Sequence, residues 1–477
     1  MRQFLLFIGL IVGLSVPVGA QIGVMELIPE WGQAGWSNPA LIHPSGGFIG
    51  LGPLAGTQFQ VVHTGPAFLD FSSAEGVVNP EDFLANMDPV ESLGFRSEVP
   101  LLSLGFRDKK KFEFRYRSRL VAEQQFSYDR DLFELAWKGN GHPDLLGRPI
   151  SLSGMGLNAQ AYLDHGLSVG AMAKEDKLWL GWGIHILNGI GGVETSDFEA
   201  AWTTDATDYS WTLEGGVGVN ASGVNVDSLL EGGEAVQEFS GLPPTVGAGV
   251  AFDFGFLWKV TEQFDLEGSM EGRGSIRWLE SVSRYEVEPD VFVLQGLDLV
   301  DLWSSGEVDS GLDSAGSWLN AWSESMVDSL AETFSGSTLS GPPAVFESRT
   351  RETWRLGIRF RPVETVEVHA LGYRQFQFGD SRQGFLFGVT HRFRNNIASH
   401  VQAQRFGDRW SFGAGVSLRG GPVRLSLSTQ NGYGILAPLE SGHWHGQFGL
   451  SFELGTAQEE VKRRKKGDLG TGRGMWH

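Results

Sequence analysis

The chain has 477 residues, of which 41% are hydrophobic, and its formal net charge at pH 7 is −20. This hydrophobic fraction argues against a bundle of membrane-spanning helices, which needs several long apolar runs, but it fits a barrel whose strands are apolar on one face only. The acidic balance argues against nucleic-acid binding, which depends on a basic surface. The chain contains no Cys, which excludes disulfides and thiolate metal sites and fits an exported bacterial protein.

The first twenty residues predict a signal peptide. Arg2 supplies a positive charge, residues 4–18 form an apolar run, and Val18-Gly19-Ala20 resembles a cleavage site before Gln21. A membrane anchor is the alternative, but the run is short and is broken near its end by Pro17. We therefore expect the chain to be exported.

Residues 21–56 are rich in Gly and Pro and do not alternate between apolar and polar residues. They contain Trp31, Trp36 and the tetrapeptide Ser37-Asn38-Pro39-Ala40. We interpret this range as an irregular N-terminal segment, for which a plug inside the lumen of a barrel is one role.

Apolar and polar residues alternate repeatedly between residues 57 and 455. Phe448, Leu450 and Phe452 alternate with Gly and Ser, and residues 178–186 show the same pattern. A strand places successive side chains on opposite faces, so each segment has one apolar and one polar face. A soluble β-sandwich would show the same pattern with its apolar faces turned inward. The number of segments, and the signal peptide before them, favour a membrane-spanning barrel.

The connections between these segments support the same interpretation. One set is uniformly short. The other set contains every long connection, at 65–97, 121–156, 220–244, 288–350 and 431–442, together with three shorter ones at 188–194, 377–381 and 407–408. Short turns on one rim and long loops on the other are typical of outer-membrane barrels. The sequence therefore predicts an all-β, antiparallel, up-and-down transmembrane barrel of 14–16 strands at 57–455, with short helices in the long extracellular loops. The count varies because 57–64 is weakly patterned and 264–287 is long enough to extend above the membrane.

Three parts of the chain outside the strands carry further signals. Residues 131–137 form a short helix before Gly139. The insertion at 288–350 is acidic and contains apolar residues at helical spacing, so it is either a loop helix packed on the rim or a lid or partner-binding helix. The tail at 456–477 carries five consecutive basic residues, 462–466, and is predicted to be a disordered periplasmic tail, with contact to anionic lipid or peptidoglycan as an alternative.

Catalytic and metal-binding patterns are weak. The nucleophile-elbow sequence pattern occurs once, as Gly166-Leu167-Ser168-Val169-Gly170. It lies inside an alternating strand, whereas a nucleophile elbow needs a strand, a sharp turn and a helix. His443 and His445 share one face of a strand, but the sequence identifies no third metal ligand. We predict no enzyme activity, no cofactor and no metal.

Charged residues on the polar faces of the strands are the candidate functional residues. At bilayer depth such charges are tolerated only away from lipid. They either brace the barrel wall as an ionic ladder or set the selectivity of a pore. The lumen-facing candidates are Arg115, Arg117, Arg355, Arg359, Glu367, His369 and Arg424.

Several short motifs occur together in an order that resembles a Bacteroidota outer-membrane β-barrel family known mainly as a domain of unknown function. They are Ser37-Asn38-Pro39-Ala40, Gly139-Asn140, Ala161-Tyr162-Leu163-Asp164, Leu187-Asn188-Gly189-Ile190, Gly420-Gly421-Pro422-Val423-Arg424-Leu425, Thr429-Gln430-Asn431 and Gly446-Gln447-Phe448-Gly449-Leu450. The resemblance implies a monomeric barrel in the outer membrane with no assigned activity. The early Asn-Pro-Ala is also similar to fatty-acid-transporter-like barrels and to accessory barrels of the type IX secretion system.

Two functions follow as expectations. The first is a non-enzymatic barrel that passes or binds a small molecule, with a hydrophobic molecule as one option. The second is an accessory or structural barrel for protein secretion or cell-surface assembly. The expected partners are outer-membrane lipid, a small-molecule ligand, or secretion and surface proteins, and nucleic acid is not among them.

Overall fold

The computed structural model describes residues 27–32, 34–66, 80–108, 111–174, 177–224, 244–294, 333, 337–340, 345–393, 396–406, 409–436 and 441–455. The predicted signal peptide, the basic tail and most of the 288–350 insertion lie outside these residues. None of the helices in the described ranges has the length and apolarity needed to span a membrane.

The described ranges form twenty strands and a few short helices. The strands are β1 (Gly47–Leu51), β2 (Gln58–His63), β3 (Val90–Asp108), β4 (Phe112–Asp129), β5 (Ile150–Ser151), β6 (Gly156–Lys174), β7 (Leu178–Thr204), β8 (Trp211–Ser222), β9 (Gly247–Lys259), β10 (Phe264–Trp278), β11 (Val282–Leu294), β12 (Ser337–Ser340), β13 (Phe346–Arg349), β14 (Glu352–Val363), β15 (Val366–Gln377), β16 (Asp380–Phe393), β17 (Ile397–Phe406), β18 (Arg409–Gly420), β19 (Val423–Thr429) and β20 (His443–Leu454). The helices are α1 (Ala34–Ser37), α2 (Pro80–Ala85), α3 (Arg130–Lys138), α4 (Gly432–Leu436) and the 3-10 helix η1 (Pro53–Ala55).

Antiparallel pairing closes the sheet into a barrel. The wall runs from β3 through β4, β6, β7, β9, β10 and β14, and then continues in sequence order to β20. β1 and β2 both lie between β20 and β3 and share one position in the wall, so the closed barrel has 14 strands. The predicted barrel class is confirmed, at the lower end of the expected count.

The two rims of the barrel differ. The strand pairs β3–β4, β6–β7, β9–β10, β14–β15, β16–β17 and β18–β19 are each joined at one rim, where Gly47 and Leu454 at the two ends of the wall also lie. We call this the turn rim and the opposite end the loop rim. At the loop rim α2 packs on α3 through Phe83 and Phe133, whose rings lie 6.0 Å apart. The predicted helix at 131–137 is present as α3 and ends at Gly139, which has a φ of 77°.

The predicted connection at 188–194, which divided 176–187 from 195–204, was wrong. β7 runs without interruption from Leu178 to Thr204; its first half pairs with β9, and its second half pairs with β8. β8 then pairs with β11, and β11 with β12, which forms a sheet extension above the loop rim rather than further wall strands. The glycines that suggested a loop are needed for packing instead, because a Cβ at Gly189 or Gly192 would lie 2.6 Å from the indole ring of Trp278.

Two other boundaries also differ. The range 264–287 contains two strands, β10 and β11, because the chain turns at Ser281, which has a φ of 49°. The range 21–56, expected to be irregular, ends in a wall strand, since β1 begins at Gly47 and pairs with both β3 and β20. Its Gly-rich sequence hides this strand because only five residues alternate before the chain breaks at Gly52.

The apolar faces of the wall point outward. On β7, Trp182 is 72% exposed and Ile186 is 56% exposed, whereas the intervening His185 is 2% exposed. β9 shows the same arrangement, with Phe252 outward and Asp253 buried inside. This is opposite to a soluble sandwich, whose apolar faces are buried against each other. The outer surface is therefore suited to lipid, and the interior is polar.

We expect Phe252→Arg to destabilise the barrel in phospholipid vesicles by about 2–4 kcal/mol, because a cation at the middle of a lipid-facing strand is poorly solvated. The free energy of unfolding is measured by urea titration of the vesicle-inserted protein. Val291→Arg is the matched control, since Val291 is similarly exposed but lies on β11 in the sheet extension. Equal losses in the two variants would contradict a lipid-facing position for Phe252.

Candidate functional site: the barrel interior

All seven sequence-predicted candidates are buried inside the barrel. Their exposure ranges from 1% for Arg115 and His369 to 8% for Arg355. Buried charges are stable only when they are paired and hydrogen-bonded, so their partners decide what each can do. The pairs are Arg115 with Glu113, Arg117 with Asp164, Arg355 with Glu271, Arg359 with Glu267 and Glu367, His369 with Glu367, and Arg424 with Glu453.

Near the turn rim, Arg359 on β14 joins carboxylates from the strands on both sides. It lies 2.7 Å from Glu267 of β10 and 3.4 Å from Glu367 of β15. The His369 Nε2 atom lies 3.2 Å from the same Glu367 carboxylate. The two Arg359 contacts cross neighbouring strands, so this part of the interior acts as an ionic ladder that braces the wall.

A second group, at the middle of the barrel, was not identified from the sequence. His185 lies between two carboxylates, with Nδ1 2.7 Å from Asp164 and Nε2 2.7 Å from Asp253. Asp164 also accepts a hydrogen bond from Nε of Arg119 at 2.8 Å. Asp164, His185 and Asp253 come from the three strands β6, β7 and β9, and only the register between these strands brings the residues together. Alternation alone placed His185 on a strand but gave no partner.

Residues 27–45, which we call the N-terminal segment, lie inside the barrel. Arg115 on β4 donates to the carbonyl oxygens of Gly35 at 3.1 Å and Pro39 at 3.2 Å, and also to that of Leu41. A second anchor is the ion pair between Glu30 and Arg392 of β16. The segment therefore contacts opposite parts of the wall.

Glycines on the wall make room for the Asn-Pro pair of this segment. A Cβ at Gly181 of β7 would lie 2.2 Å from the carbonyl carbon of Pro39, and a Cβ at Gly255 of β9 would lie 2.1 Å from the Asn38 side-chain oxygen. Any larger residue at these positions would push the segment away. Glycines of the wall thus make room for the Ser37-Asn38-Pro39-Ala40 motif, which packs against them.

Near the loop rim, the tip of the β15–β16 hairpin crosses the interior. Gln377 donates to Glu123 at 2.8 Å, and Gln125 of β4 donates to Asp380 at 2.6 Å. The turn itself is tight, with a positive φ at both Phe378 and Gly379. The hairpin therefore covers part of the mouth of the barrel.

The wall is interrupted where β1 gives way to β2. Gly52, with a φ of 63°, and Gly56, with a φ of 139°, flank the single turn η1, so the chain leaves the ladder between them. Pairing with both neighbours resumes at Gln58. We call residues 52–57 the strand break.

Two interior cavities meet the strand break. The larger one, the strand-break cavity, has about 580 Å³ of unfilled space including the part open to solvent, and the smaller has about 340 Å³. Ala55 lines both. The strand-break cavity is lined by Trp36, Ser37, Ala55, Gly56, Gln58, Glu98, Pro100, Leu102, Ser103, Arg117, Ser118, Arg119, Glu271, Arg351 and Gln447. Its walls mix apolar with charged groups, as the walls of small-molecule sites do.

Neither of the weaker sequence patterns forms, among the described residues, the arrangement that its chemistry requires. Ser168 lies within the continuous strand β6, without the turn and helix of a nucleophile elbow. His443 and His445 are buried, and no group of three metal-binding side chains occurs in the part of the chain that the structure describes.

We expect the double change Glu113→Gln/Arg115→Gln to loosen the N-terminal segment while leaving the wall closed. Removing both charges avoids leaving one buried ion without its partner. The N-terminal segment loses the hydrogen bonds that Arg115 donates to it, each of which contributes about 1.5–3 kcal/mol. Hydrogen–deuterium exchange in residues 34–45 should then be faster by about tenfold or more.

The matched control is Asp265→Asn/Arg361→Gln, which removes a wall ion pair of 2.8 Å at the turn rim. If exchange in residues 34–45 rises equally in both doubles, Arg115 is not the anchor of the segment. Heat-modifiable migration on gels checks that each variant is folded.

Comparison with known proteins gives a family and a set of distant folds. No curated protein matches the chain significantly. Among solved structures, the toluene transporter TbuX of Ralstonia pickettii is 10% identical with a TM-score of 0.42, over 92% of this chain and 97% of that one. The toluene transporter TodX of P. putida is 10% identical with a TM-score of 0.40, over 89% and 94%. A Pseudomonas aeruginosa FadL homologue is 11% identical with a TM-score of 0.38, over 92% and 99%.

These TM-scores are low, so the description of the barrel rests on the strand pairing of this chain. A family model matches residues 39–430, from Pro39 in the N-terminal segment to the end of β19. The chain therefore belongs to the family of unknown function DUF5723.

Proposed function

We propose that this protein is a non-enzymatic barrel of the Gram-negative outer membrane that binds and passes a compact, largely apolar molecule by way of the strand break. The outward apolar faces support the membrane location, because such a surface is stable in lipid and not in water. The observation that carries the function is the position of the strand break, where the strand ladder of the wall is interrupted next to the strand-break cavity.

The axial path through the barrel is obstructed at two levels, which favours a route through the wall. The N-terminal segment fills the interior toward the turn rim, held by Arg115 and Arg392. The β15–β16 hairpin crosses the mouth through Gln377 and Asp380. A wide water-filled pore for hydrophilic solutes does not fit this arrangement.

The surface around the strand break is suited to an apolar molecule arriving from lipid. Leu51 is 59% exposed, Leu54 54% and Phe59 47%, all on the outer side. Pro100 and Leu102 on the neighbouring strand β3 line the cavity, so the apolar surface extends up to it. A molecule dissolved in the outer leaflet thus has a continuous apolar approach to the interior.

The route is tested with two neighbouring substitutions on opposite sides of η1. Ala55 is 7% exposed and faces both cavities, whereas Leu54 is 54% exposed on the outside. We expect Ala55→Trp to fill the cavities and to reduce the accumulation of radiolabelled toluene by Gram-negative cells to the level of cells lacking the protein. Leu54→Trp keeps an apolar side chain on the outer side and leaves both cavities unfilled, so it should leave accumulation unchanged.

Equal accumulation in the Ala55→Trp and wild-type cells, with equal amounts of folded protein in the outer membrane, would reject the route. Liposome swelling with arabinose supplies the complementary measurement. Rapid swelling by the wild-type protein would favour an open hydrophilic pore instead. The same assay is applied to a variant that lacks residues 21–45. The deletion stops before β1, because β1 is part of the wall.

The alternative role in secretion or surface assembly was motivated by the acidic insertion at 288–350, most of which lies outside the described residues. The link to Bacteroidota and to the type IX system, and the signal peptide, stay predictions. Co-purification of a surface protein with the barrel is the experiment for that role.

A further inference from the structure

We propose that the strand-break cavity binds a compact molecule carrying a single carboxylate, and that Arg117 is the residue that holds the carboxylate. This inference rests on the proposed function and names the chemical class of its ligand.

Arg117 is the least satisfied arginine at the centre of the barrel. It is 6% exposed, its nearest carboxylate oxygen, on Asp164, is 3.4 Å from Nη2, and its Nε has no hydrogen-bond partner among the residues described. A charge-assisted hydrogen bond is normally about 2.7–2.9 Å long. Arg117 therefore has donors that Asp164 does not satisfy.

Asp164 is already engaged by two closer donors. Its Oδ2 accepts from Nε of Arg119 at 2.8 Å, and its Oδ1 lies 2.7 Å from Nδ1 of His185. A carboxylate with these partners gives Arg117 little further compensation. A buried cation that is incompletely paired is costly, so a bound anion at this point would stabilise it.

The other charged groups around the cavity compensate one another. Glu98 pairs with Arg96, Arg119 and Arg351, and Glu271 pairs with Arg355 at 2.8 Å. Arg119 is hydrogen-bonded to Glu98 and Asp164, and Arg351 is hydrogen-bonded to Gln60, so Arg117 is the arginine of the cavity lining that lacks such an acceptor among the described residues. One arginine with an unsatisfied donor matches a single carboxylate.

The surroundings of Arg117 fix the shape of the ligand. The guanidinium lies over the Trp36 ring, 4.6 Å from its centroid, which holds its plane and leaves its edge donors for a planar acceptor. A carboxylate matches this edge in a bidentate manner. Pro100, Leu102 and Ala55 supply an apolar surface toward the strand break, so the rest of the ligand is a small apolar body.

The test compares benzoate with benzyl alcohol, which has nearly the same size and ring but no charge. Equilibrium dialysis of the full-length, detergent-solubilised protein with radiolabelled probes gives both dissociation constants. We expect benzoate to bind at least about tenfold more tightly than benzyl alcohol. In Arg117→Gln this preference should disappear, whereas benzyl alcohol binding should stay within about twofold of wild type.

Arg382→Gln is the matched control, because Arg382 is a largely buried arginine at the mouth of the barrel, outside the strand-break cavity. It should keep the preference for benzoate. Benzoate binding that is no tighter than benzyl alcohol, or a preference that persists in Arg117→Gln, would overturn the assignment while leaving the apolar route intact.

Failure of both probes to bind the wild-type protein would reject the cavity as a ligand site, and the proposed function with it. If Arg117→Gln does not fold, the comparison of the two probes on the wild-type protein, with Ala55→Trp as the filled-cavity control, still decides the question. Binding of benzoate that Ala55→Trp does not reduce would place it elsewhere and contradict the proposal.

Discussion

The pairing of charges inside the barrel is the constraint on which the rest of the structure depends. Because the apolar faces of the strands point outward, the interior has to be filled by the other half of each strand, which is rich in Arg, Glu, Asp, His and Gln. Such groups are stable away from bulk water only as mutually compensating sets. Arg359 with Glu267 and Glu367, and His185 with Asp164 and Asp253, show how residues from three strands meet this requirement.

The N-terminal segment meets the same requirement by a different means. Its backbone carbonyls accept hydrogen bonds from Arg115, which is also paired with Glu113. Around Arg115 the segment thus supplies acceptors without adding charge, and glycines at 181 and 255 provide the space. The N-terminal segment therefore both fills the interior and supplies hydrogen-bond acceptors to Arg115.

Much of this fold was predictable, because alternation has a period of two and depends only on local sequence. It gave the barrel class and the buried side of all seven candidate residues. Partners were not predictable, since they depend on register between strands far apart in sequence, as Asp164, His185 and Asp253 show. The error at 188–194 arose because glycine serves both turns and close packing, and only the position of Trp278 distinguishes the two.

The shared position of β1 and β2 has a consequence for the order of assembly. This position closes the barrel, because Gly47 pairs with Leu454 from the far end of the wall, and it follows directly after the N-terminal segment. Contacts between such distant parts of a chain form late in folding, since closing a long loop is entropically costly. A closed wall leaves little room for a bulky segment to enter. The N-terminal segment therefore has to lie inside the barrel before β1 pairs with β20. The barrel therefore closes around the N-terminal segment, and the strands that close it, β1 and β2, follow that segment directly in the chain.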